Sequence, residues 1–165
     1  RAGPGAPGPA ARALGAGGGA CPGGNAGASG HGCENSYSTG GGLLLAQGKA
    51  SVLTDTLVLN ASGLQPSASM IFFQGTTHQN GGLGTVFGDG LRCVAPPPIR
   101  FALKTTVNGF ASYGGPLGDS PISVHGQIPP VGGTFYYQAW YRNPAAFCAA
   151  GTFNLSNGLR VTWTP

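Results

Sequence analysis

Few side chains in this 165-residue chain are equipped for chemistry. The acids are Glu34, Asp55, Asp89 and Asp119, and the imidazoles are His31, His78 and His125. Glycoside hydrolysis would need two carboxylates facing each other across a cleft. Here Glu34 and Asp55 stand in turn-like contexts, Asp89 lies between Gly88 and Gly90, and Asp119 follows Gly118, so turn formation accounts for them. Calcium at Asp89 would need more than one carboxylate. His31, His78 and His125 are candidate bases and Ser120 or Ser123 candidate nucleophiles, but no G-x-S-x-G elbow surrounds either serine. These patterns predict no catalytic residue, no metal and no cofactor.

The cysteines are Cys21, Cys33, Cys93 and Cys148. Four cysteines allow three pairings. The favoured one joins Cys21 to Cys33, pinning a segment that has no core of its own, and Cys93 to Cys148, tying distant strands together. Each bridge would contribute about 2 to 4 kcal/mol in an oxidising compartment. The competing reading, zinc held by His31 with Cys21 and Cys33, lacks the C-x-x-C spacing of closed structural sites.

Binding, rather than reaction, has better candidates. In TFYYQAWYR, Phe135, Tyr137, Ala139 and Tyr141 fall on one face of an extended chain while Tyr136, Gln138, Trp140 and Arg142 fall on the other. Tyr136 and Trp140, with Tyr141, are possible glycan-stacking rings. The simpler alternative is that these rings are sandwich core. Asn60 and Asn154 sit in N-x-S patterns that match a glycosylation acceptor by sequence alone.

The elements that would position these residues are strands. LLLAQG, TLVLNAS, SMIFFQG, TVF, LRCV, IRFALKTT, GFASY, PISVHGQI and the two C-terminal segments give nine or ten short runs divided by Gly, Pro and Asn. No helix-length window carries a 3.6-residue apolar period free of Gly or Pro. The expected fold is all-β, an antiparallel β-sandwich of jelly-roll type with an extended Gly/Pro-rich N-terminal arm. From residue 1 to 42, 15 residues are Gly, and Leu14 and Tyr37 are the only large aliphatic and aromatic side chains. Such a segment cannot offset its own ordering entropy. The chain therefore divides into an arm (1–20), a disulfide-closed, turn-rich cap (21–42) and a sandwich (43–165).

Only 7% of residues are charged, against about 25% in a typical soluble protein. The eight Lys and Arg side chains are scattered, with no basic stripe interleaved with aromatics, which argues against nucleic acid as a partner. No apolar run is long enough to span a bilayer. The first residue is Arg rather than Met, as expected of a processed product.

The segments CPGGNAGASGHGCENS, GKASVLTDTLVLNASGL, FFQGT, FGDGLRCV and YYQAWYRNPAAFC with TFNLSNGLRVTWTP resemble a module found at the C-terminal ends of large secreted proteins of planctomycete-like and myxobacterium-like bacteria. The resemblance spans about residues 21–165. It implies secretion and a surface or matrix setting, and it transfers no catalytic residue.

Two roles are expected from these readings. One is a structural subunit of an extracellular filament or surface layer. Such a subunit would polymerise head-to-tail with copies of itself, through arm packing at Pro4, Pro7, Pro9 and Leu14 or strand donation by Leu43, Leu44 and Leu45. The other is a carbohydrate-binding or adhesive module of a larger secreted protein, with extracellular glycan as partner.

Overall fold

The computed structural model describes residues 12–14 and 20–165 and shows an all-β antiparallel sandwich. In chain order its strands are β1 (Arg12–Leu14), β2 (Leu43–Gln47), β3 (Val58–Ser62), β4 (Ser69–Gly75), β5 (Thr85–Phe87) and β6 (Gly90–Arg92). They continue as β7 (Ile99–Thr105), β8 (Ala111–Tyr113), β9 (Gly133–Arg142), β10 (Phe153–Leu155) and β11 (Gly158–Trp163). One sheet runs β1-β11-β9-β4-β7, with β10 also paired to β9; the second runs β2-β3-β8; β5 and β6 form a separate ribbon. No described helix is long and apolar enough to cross a membrane.

The core lies between the two sheets, and strand alternation dictates its members. From β9 come Tyr137, Ala139 and Tyr141, from β11 Leu159, Val161 and Trp163, and from β4 Met70 and Phe72; these meet Leu44, Leu59 and Ala61 of the smaller sheet and Leu57 just before β3. Tyr137 accepts a hydrogen bond from the Trp163 indole N–H at 2.8 Å, so its buried hydroxyl is satisfied. Asn157 joins the sheets at one corner: its Oδ1 accepts the Leu44 N–H at 2.7 Å and its Nδ2 donates to the Leu44 carbonyl at 3.1 Å. Leu43–Leu45 thus open a strand that pairs with β3 of the same chain over all five of its residues. Leu44 is buried and Leu45 exposed.

Two expectations are corrected. PISVHGQI, read as a strand, holds a helical turn, α1 (Ile122–His125). Pro121 precedes it, Asp55 accepts the Ser123 N–H at 2.8 Å, and Gly126 closes it onto the Ile122 carbonyl at 2.7 Å. The Cys21–Cys33 bridge is present, but Cys93 and Cys148 are free thiols. Cys93 is buried, its Sγ 3.9 Å from the carbonyls of Leu14 and Leu91, whereas Cys148 packs against Gly23. The two sulfurs have different neighbours, which a loop-length argument does not see.

Candidate binding groove on the outer sheet face

The large sheet has a second apolar face, pointing away from the core. Ile71 and Phe73 of β4 lie on it, paired with Trp140 and Gln138 of β9. A face of this kind needs a cover, and the β5–β6 ribbon supplies half of one. Gln138 fastens the ribbon: its buried Oε1 accepts the Cys93 N–H at 2.9 Å, and its Nε2 donates to the carbonyls of Leu91 at 2.8 Å and Ser156 at 2.7 Å. Gly75 lets the layer close, because a Cβ there would come within 2.5 Å of Val94. Phe73, Val94 and Leu155 make a second small core beneath, with Tyr136, Trp140 and Phe153 packed on it.

The uncovered half is a groove of about 560 Å³, within the ordinary range of ligand pockets. Ile71, Phe73 and Trp140 line it from the sheet, Phe153 from β10, Phe87 and Arg92 from the ribbon, Arg100 and Leu103 from β7, and Pro96 and Pro98 from the connection. Trp140 stacks on Phe153 at 5.5 Å, and Phe87 packs on Phe153 at 4.8 Å. The Arg142 guanidinium lies 5.2 Å over the Trp140 ring and that of Arg92 4.8 Å over Phe87.

Two irregularities in strand pairing aim these side chains. Between β4 and β7 the register shifts, so that Ile71 faces Leu103 while Phe73 faces Arg100. Arg100 and Leu103, three positions apart, therefore share the outer face, which an unbroken strand would forbid. Along β9, β10 and β11 pair on the same side but one residue out of register, with Ser156 and Asn157 between them. Phe153 and Leu155 consequently pair with outward Arg142 and Trp140, while Leu159 and Val161 pair with inward Tyr137 and Phe135. At the ribbon turn Gly88 has φ +62°, and a Cβ would meet the Phe153 ring at 2.4 Å. Only glycine lets the turn rest on that ring.

The structure separates the two aromatic candidates. Trp140 lines the groove; Tyr136 shares its face but is held edge-on against His78 at 5.1 Å, beside the small core. Tyr141 is buried on the inner face, its hydroxyl pushed above the ordinary tyrosine range by burial. Pro4, Pro7 and Pro9 lie outside the described residues. Leu14 belongs to β1, which pairs with β11 of its own chain, Leu14 opposite Gly158. Asn154 is fully buried, closing that glycosylation pattern in the folded state. Nothing in the spelling of the sequence marks Phe87, Arg92, Arg100, Leu103 or Phe153 as site residues; SMIFFQG, apolar on both faces, is the signal that this sheet has two covered sides.

The acids and imidazoles are used structurally. Asp89 is fully buried, and its carboxylate accepts the N–H groups of Cys148 at 3.1 Å and Ala149 at 2.8 Å and the Asn143 amide at 2.7 Å. Glu34 accepts the N–H groups of Asn35, Gly40 and Gly41. Asp119 accepts the Gly114 N–H and pairs with Lys104 at 2.6 Å. His31 Nδ1 contacts the Gly41 carbonyl at 2.8 Å, and His125 Nδ1 meets the Tyr113 hydroxyl at 3.1 Å. Comparison with family models, with curated proteins and with solved structures finds no match to this chain.

Proposed function

We propose that this protein is a non-enzymatic, adhesive binding module of a secreted protein, and that its ligand lies in the outer-face groove. The observation that carries the reading is the half-covered face itself. The ribbon shields one part of an apolar sheet surface, while Trp140, Phe153 and Leu103 remain around an open cavity bordered by guanidinium groups. Exposed apolar surface of this kind is the usual mark of a contact site. The Cys21–Cys33 bridge agrees with an oxidising, extracellular setting, as does the resemblance to a secreted β-module. Trp140→Ala tests the reading. Immobilised protein should retain a ligand from arrayed extracellular glycans and peptides, and the variant should lose at least tenfold in affinity while unfolding as the parent does. Retention unaffected by the substitution would sink the groove as the site.

A second reading, a filament subunit joined through its N-terminal segment, draws on β1. Its three residues complete the β11 edge, and the same three pairs supplied by another copy would link subunits. Negative-stain microscopy of the intact protein beside a variant lacking residues 1–14 tests it: filaments should be present in the first sample and absent from the second. Single particles in both would reject it.

A further inference from the structure

Resting on the groove reading, we infer that the ligand is an acidic peptide strand, one that carries carboxylate and large apolar side chains in turn along a single face and adds to the free edge of β7. Three observations converge on this class. The first is the edge. β7 ends the strand order, and among the described residues no segment forms backbone hydrogen bonds with its outer side. Arg100, Ala102 and Leu103 are exposed there, Leu103 at 69%. A strand laid against such an edge gains a ladder of main-chain bonds, while alternate side chains turn onto one sheet face. That face is the groove, because the register shift puts Arg100 and Leu103 at its border.

The second is charge. Arg92, Arg100 and Arg142 surround the groove, and among the described residues none has a carboxylate partner; the one ion pair is Lys104 with Asp119. Arg92 and Arg142 bond neutral oxygens instead, of Gln79 and Thr152. The unmatched charge calls for an anion. It also excludes the nearest alternatives within the chain. The segment 1–11 holds Arg1 and no acid. Two copies pairing β7 to β7 would bring Arg100 and Lys104 of each against the other's like charges, which disfavours the sheet.

The third is the lining itself. Ile, Leu, Phe, Trp, Pro and Arg side chains offer donors but no acceptor. Sugar hydroxyls both donate and accept, so a polysaccharide, even an acidic one, would leave hydroxyl groups poorly matched, whereas the apolar side chains of a peptide would not.

The test uses the full chain and the eight-residue peptide Phe-Thr-Glu-Thr-Phe-Thr-Glu-Thr, whose Phe and Glu side chains share one strand face, fluorescently labelled and read by anisotropy. Binding is expected, with loss of about tenfold or more on Arg100→Glu or Leu103→Glu. Both positions are exposed, so the fold should tolerate the change. A peptide with Lys in place of Glu should not bind, and N-methylation of alternate backbone amides along the edge-facing side should abolish binding. If N-methylation has no effect, strand addition is wrong. If a polyuronate binds with dependence on Trp140 and the Phe/Glu peptide does not, the groove reading stands and the peptide inference falls. If neither ligand binds with that dependence, both fall.

Discussion

Each of the four acids in this chain receives backbone N–H groups, so carboxylates that look spare in the sequence act as loop anchors. Asp89 is the clearest case because every group around its carboxylate is a donor. Asp89→Asn places an N–H₂ group among donors, and hydrogen bonds to a charged acceptor contribute about 1.5 to 3 kcal/mol each. We expect a loss of about 2 to 4 kcal/mol in urea unfolding, with faster amide exchange at Cys148 and Ala149. A loss below about 0.5 kcal/mol would show that the carboxylate is dispensable. Titration gives a second test. Burial pushes the Cys93 thiol from 9.0 up to about 11. The folded state therefore keeps a proton that the unfolded chain releases. The resulting stabilisation is complete below about pH 9 and is lost as pH rises through about 11. The difference corresponds to about 2 to 3 kcal/mol. Tyr137 and Tyr141, also raised by burial, act in the same direction above pH 10. Denaturation at pH 8 and pH 11 should show a steeper decline for the parent than for Cys93→Ala. Equal slopes would mean that the thiol is not held neutral.

At the scale of elements, the parity of β9 was open to reading because ten residues alternate without interruption. The Cys21–Cys33 staple was also legible, its short loop lying within a coreless segment. The groove was not, because two register shifts decide which way Arg100, Leu103, Phe153 and Leu155 point, and a one-residue slip reverses a strand's faces. Nothing in the spelling of FNLSNGLRVTW marks the reversal except the polar pair Ser156–Asn157 between two apolar runs. Asn157 of this pair supplies the corner bonds to Leu44, so Asn157→Ala should cost about 2 to 4 kcal/mol by leaving buried backbone groups unpaired. It should also perturb amide NMR shifts in both β2 and β10. Shifts confined to β11 would contradict the role assigned to this corner. Gln138 is the corresponding device for the ribbon. Gln138→Ala should release the β5–β6 ribbon, seen as lost exchange protection at Leu91 and Cys93 while the inter-sheet core stays protected.

Over the whole molecule, a charge-poor chain has built three layers from short strands, with one core between the sheets, a smaller one beneath the ribbon and one face left half open. The cap is closed on itself by the Cys21–Cys33 bridge and held to this body by hydrogen bonds: Asn25 donates to the Asp89 carbonyl, and Asn154 donates to the Cys33 carbonyl. Cys33→Ser should cost about 2 to 4 kcal/mol, near the entropy of the closed loop, and calorimetry would register it as a lower Tm. The central claim concerns the open face, and the most direct measurement is a ¹H–¹⁵N NMR titration of the intact protein with the Phe/Glu peptide and with a polyuronate, followed at the two indole N–H signals. The account predicts that one of these ligands moves the Trp140 signal together with the amides of β7, while Trp163, buried between the sheets, stays in place. Saturable shifts that bypass Trp140 and β7 would contradict it.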